Sequence, residues 1–250
     1  MTHVRVVGFG MGPHHLTGEA VAALDASDYA IAVRKGPDDE LLEVRRRICA
    51  AHDVELVEIP DPIRDRDDPA DYPTAVRTWH DARVDAFATE LVARGGTAAF
   101  LVWGDPSLYD SMLRVVEGLA ARGDLAGLTW DVVPGISAPQ LLAARHRMVL
   151  HPVGAPVHVT AARRLPEALA QGQRNVLVML GSDRELDALE PLGAWQLWWG
   201  ANLGAPGEQL VAGRVAEVLD DVRRARQAAR SVDGWVMDTY LLRAAEEEAR

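Results

Sequence analysis

Residues 3–33 read HVRVVGFGMGPHHLTGEAVAALDASDYAIAV, and the fold follows from this stretch. His3–Gly8 is a short β-branched apolar run that ends in glycines, the pattern of a strand buried on both faces. A helical stretch over Gly18–Ala26 follows, then a second strand at Tyr29–Val33. The pattern continues with a helix at Leu41–Ala51, a strand at Val54–Ile59 and a helix at Thr74–Arg94, where Val76, Trp79, Val84, Phe87 and Leu91 keep helical spacing. A strand at Ala98–Trp103, a helix at Ser111–Arg122 and a strand at Thr129–Val133 complete this half. Strands alternating with helices predict a parallel sheet covered on both faces.

Beyond His151–Pro156 (HPVGAP), read here as an interdomain hinge, strands are expected at Val157–Thr160, Asn175–Leu180, Trp195–Trp199 and Trp235–Leu242. Helices are expected at Arg164–Ala170, Arg184–Leu189 and Gly213–Arg230. The expectation is therefore two α/β domains, residues 1–152 and 153–250. The proline-broken, charged segment Pro60–Pro73 reads either as a solvated loop or as a lid over a cleft, and Glu246–Glu248 as a solvated tail.

At 250 residues and 27.2 kDa the chain has room for two such domains, and its 48% hydrophobic and 25% charged residues are ordinary for a globular protein. No apolar run is long enough to span a membrane, and no secretory leader is visible at the start. A single cysteine, Cys49, excludes an internal disulfide and a cysteine-rich metal site, so a cytoplasmic protein without a metal is expected. The formal charge of −11 argues against a nucleic-acid partner.

Three turns carry the chemistry. Gly8, Gly10 and Gly12 stand where the first strand ends, at the carboxyl edge where α/β sheets bind ligands. Without Cβ atoms, such backbone can turn sharply and approach a ligand closely. Trp103–Ser111 (WGDPSLYDS) leaves the fourth strand and Val132–Ala138 (VVPGISA) the fifth, on the same edge. The first loop lacks the Gly-Lys-Ser/Thr of a phosphate loop. It also fits a dinucleotide site poorly, because the second strand ends in Arg34-Lys35 where an NAD ribose needs an acid.

Together VGFGMG (7–12), WGDPSLY (103–109), VPGISA (133–138) and WGANLGAPGEQL (199–210) resemble the tetrapyrrole methylases, over nearly the whole chain and in that family's order. The segments YPTAVRTWHDARVDAFA (72–88), ISAPQLLAARHRMVLHPVGAPV (136–157) and DGWVMDTYLLR (233–243) are similar to the branch that methylates C1 of precorrin-5 and releases acetate in aerobic cobalamin synthesis. The resemblance implies a class III S-adenosylmethionine (SAM)-dependent methyltransferase fold, with the cofactor in the cleft between two α/β domains. It also implies a tetrapyrrole substrate and a homodimer. Carried over by position, it assigns Gly8, Gly10, Met11, Gly12, Trp103, Gly104, Asp105, Leu108, Ser137, Ala138, Met179, Leu180, Ala201, Asn202 and Leu203 to the cofactor. Many relatives have proline where Met11 stands, and the loop after Gly12 is one residue short of the family pattern. Methylation at another ring carbon and non-catalytic SAM binding are the alternatives.

Deacetylation needs a base and carbonyl polarisation, for which Asp105, Tyr109, His14 and Glu208 are candidates. A polyanionic substrate approaching a protein at −11 needs local cations. Arg145 and Arg147, with His146 between them, and Arg163 and Arg164 are the expected ones. Arg45–Arg47 reads as a solvated helix face, Cys49 as inert filler, and Trp195, Trp198 and Trp199 as sheet core or dimer contact.

Overall fold

The computed structural model describes residues 1–36, 39–62 and 72–245. Most of Pro60–Pro73 and all of Glu246–Glu248 lie outside these residues. The chain divides into two compact units, Met1–Ser137 and Ala138–Arg250.

The first unit runs β1 (His3–Gly8), α1 (Gly18–Asp25), β2 (Tyr29–Arg34), α2 (Glu40–Ala51), β3 (Glu55–Pro60), α3 (Tyr72–Arg94), β4 (Thr97–Val102), α4 (Met112–Ala120) and β5 (Thr129–Val133). The strands form one sheet in the order β3-β2-β4-β1-β5, every pair parallel. Alternate strand residues serve opposite faces. Val4, Val6, Ile31 and Phe100 pack with Phe87 and Leu91 of α3 and Val116 and Leu119 of α4. Val7, Ala30, Ala99 and Leu101 pack with Leu24 of α1 and Ile48 and Cys49 of α2. Burial pushes the Cys49 thiol up to about 11, which keeps it protonated and unreactive. Side-chain caps start two of the helices: Thr17 Oγ1 accepts the Ala20 N–H at 3.0 Å, and Asp39 Oδ1 the Leu42 N–H at 3.1 Å.

The second unit runs α5 (Ala138–His146), β6 (His158–Ala161), α6 (Leu165–Ala170), β7 (Asn175–Met179), α7 (Asp183–Leu186), β8 (Gln196–Ala201), β9 (Gln209–Arg214), α8 (Val215–Asp233) and β10 (Asp238–Arg243). Its sheet order is β6-β7-β10-β8-β9, with β6 and β7 parallel and the remaining pairs antiparallel. Val178, Leu197, Trp199 and Tyr240 form a core with Leu165 of α6 and Leu219 and Val222 of α8. Trp199 is thus sheet core, whereas Trp198 is half-buried under the Arg243 guanidinium, 5.1 Å from its ring centroid.

Two expectations are corrected here. The boundary falls after Ser137 rather than after Pro152. Helix α5 packs on β8, β9 and β10 and so belongs to the second sheet. The HPVGAP segment is tied to that sheet as well. The Asn175 side chain donates to the carbonyls of Leu150 (3.0 Å) and Pro156 (3.1 Å), and Arg243 Nη2 donates to those of Val149 (3.0 Å) and Leu150 (3.1 Å). The second correction is β9, where helix was expected to begin at Gly213. Gly213 has φ 158° and pairs with Leu197, so the chain stays extended through Arg214. As an edge strand with no buried position, β9 lacks the apolar alternation that would reveal it.

The second unit also holds a buried charge pair. Asp238, at the start of β10, accepts from Arg226 of α8, from Trp199 Nε1 at 3.2 Å and from the Gly181 N–H at 3.1 Å. Arg226 also donates to Asp183 Oδ1 at 2.6 Å and to the Gly181 carbonyl at 3.2 Å. Removing one member leaves the other buried and uncompensated. We expect Asp238→Ala to destabilise this unit by about 3–5 kcal/mol. Truncating the exposed Arg224 should cost less than about 0.5 kcal/mol. Urea unfolding followed by tryptophan fluorescence checks both, and equal midpoints for the two variants would refute the ranking.

Candidate functional site

In the first unit, the loops that follow β1, β4 and β5 interlock. Gly10 and Gly104 exchange backbone hydrogen bonds, N–H to carbonyl, at 3.2 and 2.8 Å. Gly8 and Gly135 lie closer still. A Cβ on Gly135 would stand 2.1 Å from the Gly104 carbonyl oxygen and 2.8 Å from the Gly8 carbonyl carbon and oxygen. Gly10 and Gly104 have φ near +70°, and Gly12 has φ 138°, conformations that favour glycine. The sequence spends its glycines here because any side chain would force the three loops apart.

Asp105 fastens this crossing. Its Oδ1 accepts from the Ser107 hydroxyl and, at 2.9 Å, from the Ser107 N–H; its Oδ2 accepts from the Gly135 N–H at 3.0 Å. Burial pushes the Asp105 carboxyl up, but these hydrogen bonds outweigh it and hold the pKa below the usual carboxylate range. A carboxylate so stabilised is a weak base and a firm brace. Trp103 stands edge-on to Phe9, with ring centroids 5.5 Å apart. Met11 and Ser137 are buried. A Cβ on Gly104 would meet only the Met11 sulfur at 3.6 Å and Ser137 Cα at 3.9 Å. The bare face of Gly104 therefore looks into a recess bounded by a thioether and backbone. Leu108 is half-buried one turn on, its N–H on the Asp105 carbonyl at 3.2 Å.

The other candidates on this unit are open. Tyr109 has φ 52° and is 49% exposed, and His14 lies exposed in the short helical turn Pro13–His15. Neither side chain makes a hydrogen bond to another described residue.

In the second unit, Met179 and Ala201 end β7 and β8 on either side of the first residues of β10, facing Thr239 and Asp238 in register. Leu180 follows with φ 59° and is 54% exposed. Asn202, at φ 49°, is buried and fully used. Its Nδ2 donates to Asp233 (2.8 Å) and to the Trp235 carbonyl (2.9 Å), and its Oδ1 accepts the Met237 N–H (2.8 Å). Leu203 is buried beside it, and Ala138 is half-buried at the start of α5.

Glu208 is engaged at both oxygens, by Arg145 Nε at 2.8 Å and by the Gly204 N–H at 2.7 Å. It holds a loop and is not free to act as a base. Arg164 pairs with Glu167 at 2.5 Å, while Arg147 and Arg163 are exposed without an ion-pair partner among the described residues. Arg45 departs from the solvated face expected of it. It turns inward, donates to the Leu101 and Leu41 carbonyls at 3.0 and 2.9 Å, and lies 5.4 Å from the Phe9 ring centroid. Arg46 and Arg47 do face solvent. The signal for Arg45 was its spacing: it lies three residues from the buried Leu42 and Ile48.

Comparison with known proteins now decides the family. The family model for tetrapyrrole (corrin/porphyrin) methylases matches residues 3–219. The chain belongs to this family. It is 42% identical, over 97% of its own length and 95% of the relative's, to a Sinorhizobium protein named precorrin-6A synthase [deacetylating]. Its structure resembles that of a cobalamin synthesis related protein, CobF, of Corynebacterium diphtheriae, with TM-score 0.83, 34% identity and coverage of 98% of this chain and 100% of that one. It shares its fold with uroporphyrin-III C-methyl transferase of Thermus thermophilus, solved with S-adenyl homocysteine, at TM-score 0.61 and 19% identity over 96% of each chain. The class III tetrapyrrole methylase architecture is thereby established for this tetrapyrrole methylase.

The brace has a testable pH signature. A depressed folded-state pKa stabilises the protein above the unfolded value of about 4, and the effect is lost as pH falls through the folded value. We expect Asp105→Asn to be less stable than wild type at pH 7, with the difference shrinking toward pH 3. Urea midpoints at the two pH values measure it. A constant difference would show that the Asp105 charge contributes nothing.

Proposed function

We propose that this methylase transfers a methyl group from SAM to C1 of precorrin-5 and releases the extruded two-carbon unit as acetate. The observation that carries this reading is the 42% identity to precorrin-6A synthase [deacetylating] over almost the full length of both chains. The structure supports it through the recess over Gly104, bounded by Met11 and Ser137, where backbone rather than charged side chains would meet a cofactor. The same fold carries S-adenyl homocysteine in the Thermus enzyme. Residues proposed to hold SAM are Gly10, Met11, Gly12, Trp103, Gly104, Leu108 and Ser137 in the first unit. Ala138, Met179, Leu180, Ala201, Asn202 and Leu203 are proposed for the second. Gly8 and Asp105 act by fixing the loops. A cytoplasmic homodimer is part of the same proposal.

Bound SAM supplies an electrophilic sulfonium methyl, and the electron-rich macrocycle supplies the nucleophilic carbon. The chain's work at this step is positioning and exclusion of water. Rigid loops suit it, because a small displacement from the in-line geometry costs a large factor in rate. Acetyl removal is different, since water must add to a carbonyl. Of the four groups expected from sequence, Asp105 and Glu208 are committed as braces. Tyr109 and His14 keep uncommitted side chains, and this reading assigns them to polarising the acetyl carbonyl and delivering water. The left-handed backbone at Tyr109 is a strain of the kind that persists when structure requires it.

Calorimetry should show binding of SAM and none of NADH, in keeping with exposed Arg34 and Lys35 at the end of β2. Incubation with precorrin-5 and SAM should then give one acetate per S-adenosylhomocysteine, read by NMR. Methylation without acetate would point to another ring carbon, and cofactor binding without turnover to a non-catalytic module. We further expect Tyr109→Phe to slow acetate release about 10- to 100-fold with unchanged SAM affinity. Wild-type release would remove Tyr109 from the chemistry.

A further inference from the structure

Strands β2 and β4 part before they end. Their pairing stops at Ile31 and Phe100, after which β2 runs on beside β3 as far as Arg34, and β4 beside β1 as far as Val102. Successive carbonyls of a strand point to opposite sides. That of Val102 accepts the Phe9 N–H at 3.0 Å on the β1 side, so that of Leu101 faces the side β2 has left. Arg45 of α2 fills the place of the missing strand. Its Nε donates to the Leu101 carbonyl at 3.0 Å, and its Nη1 to the Leu41 carbonyl of its own helix at 2.9 Å. An apolar side chain of the same length would take that donor away from the Leu101 carbonyl.

The same guanidinium lies 5.4 Å from the centroid of the Phe9 ring, within reach of the attraction between a cation and an aromatic face. Phe9 stands between Gly8 and Gly10, is fully buried and meets Trp103 edge-on. Leu101 lies three residues before Gly104. Arg45 thus holds the stems of the loops after β1 and β4, just before Gly10 and Gly104 join them. Its neighbours Arg46 and Arg47 pair with Glu43 and Glu58, whereas Arg45 forms no ion pair with a described residue. A neutral side chain would fill the space without the cost of desolvating a charge. What the planar cation adds is a directed contact to each of two loops.

We propose that Arg45 is a positioning residue for the cofactor: through Leu101 and Phe9 it sets the spacing of the loops after β1 and β4, and through Phe9 the seat of Trp103. The inference rests on the proposed function, which places SAM on Gly10, Trp103 and Gly104. Arg45 acts through these loops and not by contact with the reacting atoms. A small displacement of either loop moves the sulfonium methyl off line. The effect therefore falls on cofactor affinity and on kcat, and spares the binding of the tetrapyrrole.

The test uses Arg45→Met, which keeps the apolar stem, and Arg45→Lys, which keeps the charge and one donor, in the full chain. Leu119→Ala is the control, because Leu119 is buried in the opposite core of this unit, near the end of α4. Calorimetry with S-adenosylhomocysteine should show Arg45→Met weakened about tenfold, the loss expected for one hydrogen bond to a charged group. Arg45→Lys should be weakened about threefold, and Leu119→Ala, although less stable to urea, should stay within about twofold. With precorrin-5, kcat counted per S-adenosylhomocysteine-binding site should fall about 10- to 100-fold in Arg45→Met, while KM for precorrin-5 stays within about twofold. Joined to Phe9→Leu, Arg45→Met should weaken S-adenosylhomocysteine by less than the product of the two single losses. Losses that multiply in full would overturn action through Phe9. A folded Arg45→Met with wild-type affinity and kcat overturns the proposal. So does equal weakening in Leu119→Ala, which would mark a general loss of stability. Should Arg45→Met fail to fold, Arg45→Lys decides, with wild-type affinity and kcat overturning the proposal. If wild type and both Arg45 variants bind S-adenosylhomocysteine and release acetate alike, only the positioning role fails. If wild type does not bind S-adenosylhomocysteine, the proposed function fails with it.

Discussion

The hydrogen bond from the Gly135 N–H to Asp105 closes a contact in which backbone touches backbone at Gly8, Gly104 and Gly135. Everything proposed for the first unit depends on that contact. Parallel strands deliver their loops to one edge but do not make them meet. Meeting requires positions without Cβ atoms and a polar group to satisfy the amides that the crossing takes from water. Asp105 supplies that group from the loop after β4 and reaches the loop after β5. Because its hydrogen bonds favour the ionised form, it is better suited to hold than to take a proton.

The second unit solves the same problem with different residues. Its loops after β7 and β8 are held by Asp238 and Asn202, each buried and each joined to at least two other segments. A Cβ on Gly181 would stand 2.5 Å from Asp238 Oδ1, and one on Gly207 2.3 Å from Asp233 Oδ2. Glycine paired with a sheltered, hydrogen-bonded carboxylate recurs in both units. The anchoring acid removes the hydrogen-bonding deficit of the loop, and the glycine lets it come close. Methyl transfer, which asks for placement more than for proton movement, suits loops fastened in this way.

The strands and helices of the first unit were legible because each is a local pattern of apolar residues, and the glycine turns because their chemistry is local too. What escaped depends on distant partners. Strand β9 exists because β8 offers an edge to pair with, and its own residues carry little apolar signal. The unit boundary was displaced because a proline- and glycine-rich break resembles a hinge until Asn175 and Arg243 are seen holding the carbonyls of Val149 and Leu150 before it and of Pro156 at its end. Among the site candidates, sequence identified the loops but not the duties within them. Glu208 could be read as a base only while Arg145 and Gly204 were not known to occupy it.

The same limit governed the arginines. The need for local cations opposite a polyanionic substrate was the ground for expecting Arg145, Arg147, Arg163 and Arg164 to meet it, but two of these four are already paired with glutamates. Exposed cations are also screened beyond a Debye length of about 8 Å at physiological salt, and in water such pairs contribute little. A sheltered guanidinium behaves in the opposite way. Its desolvation costs several kcal/mol, which an internal partner normally offsets, and an incoming carboxylate can offset it where internal partners are few.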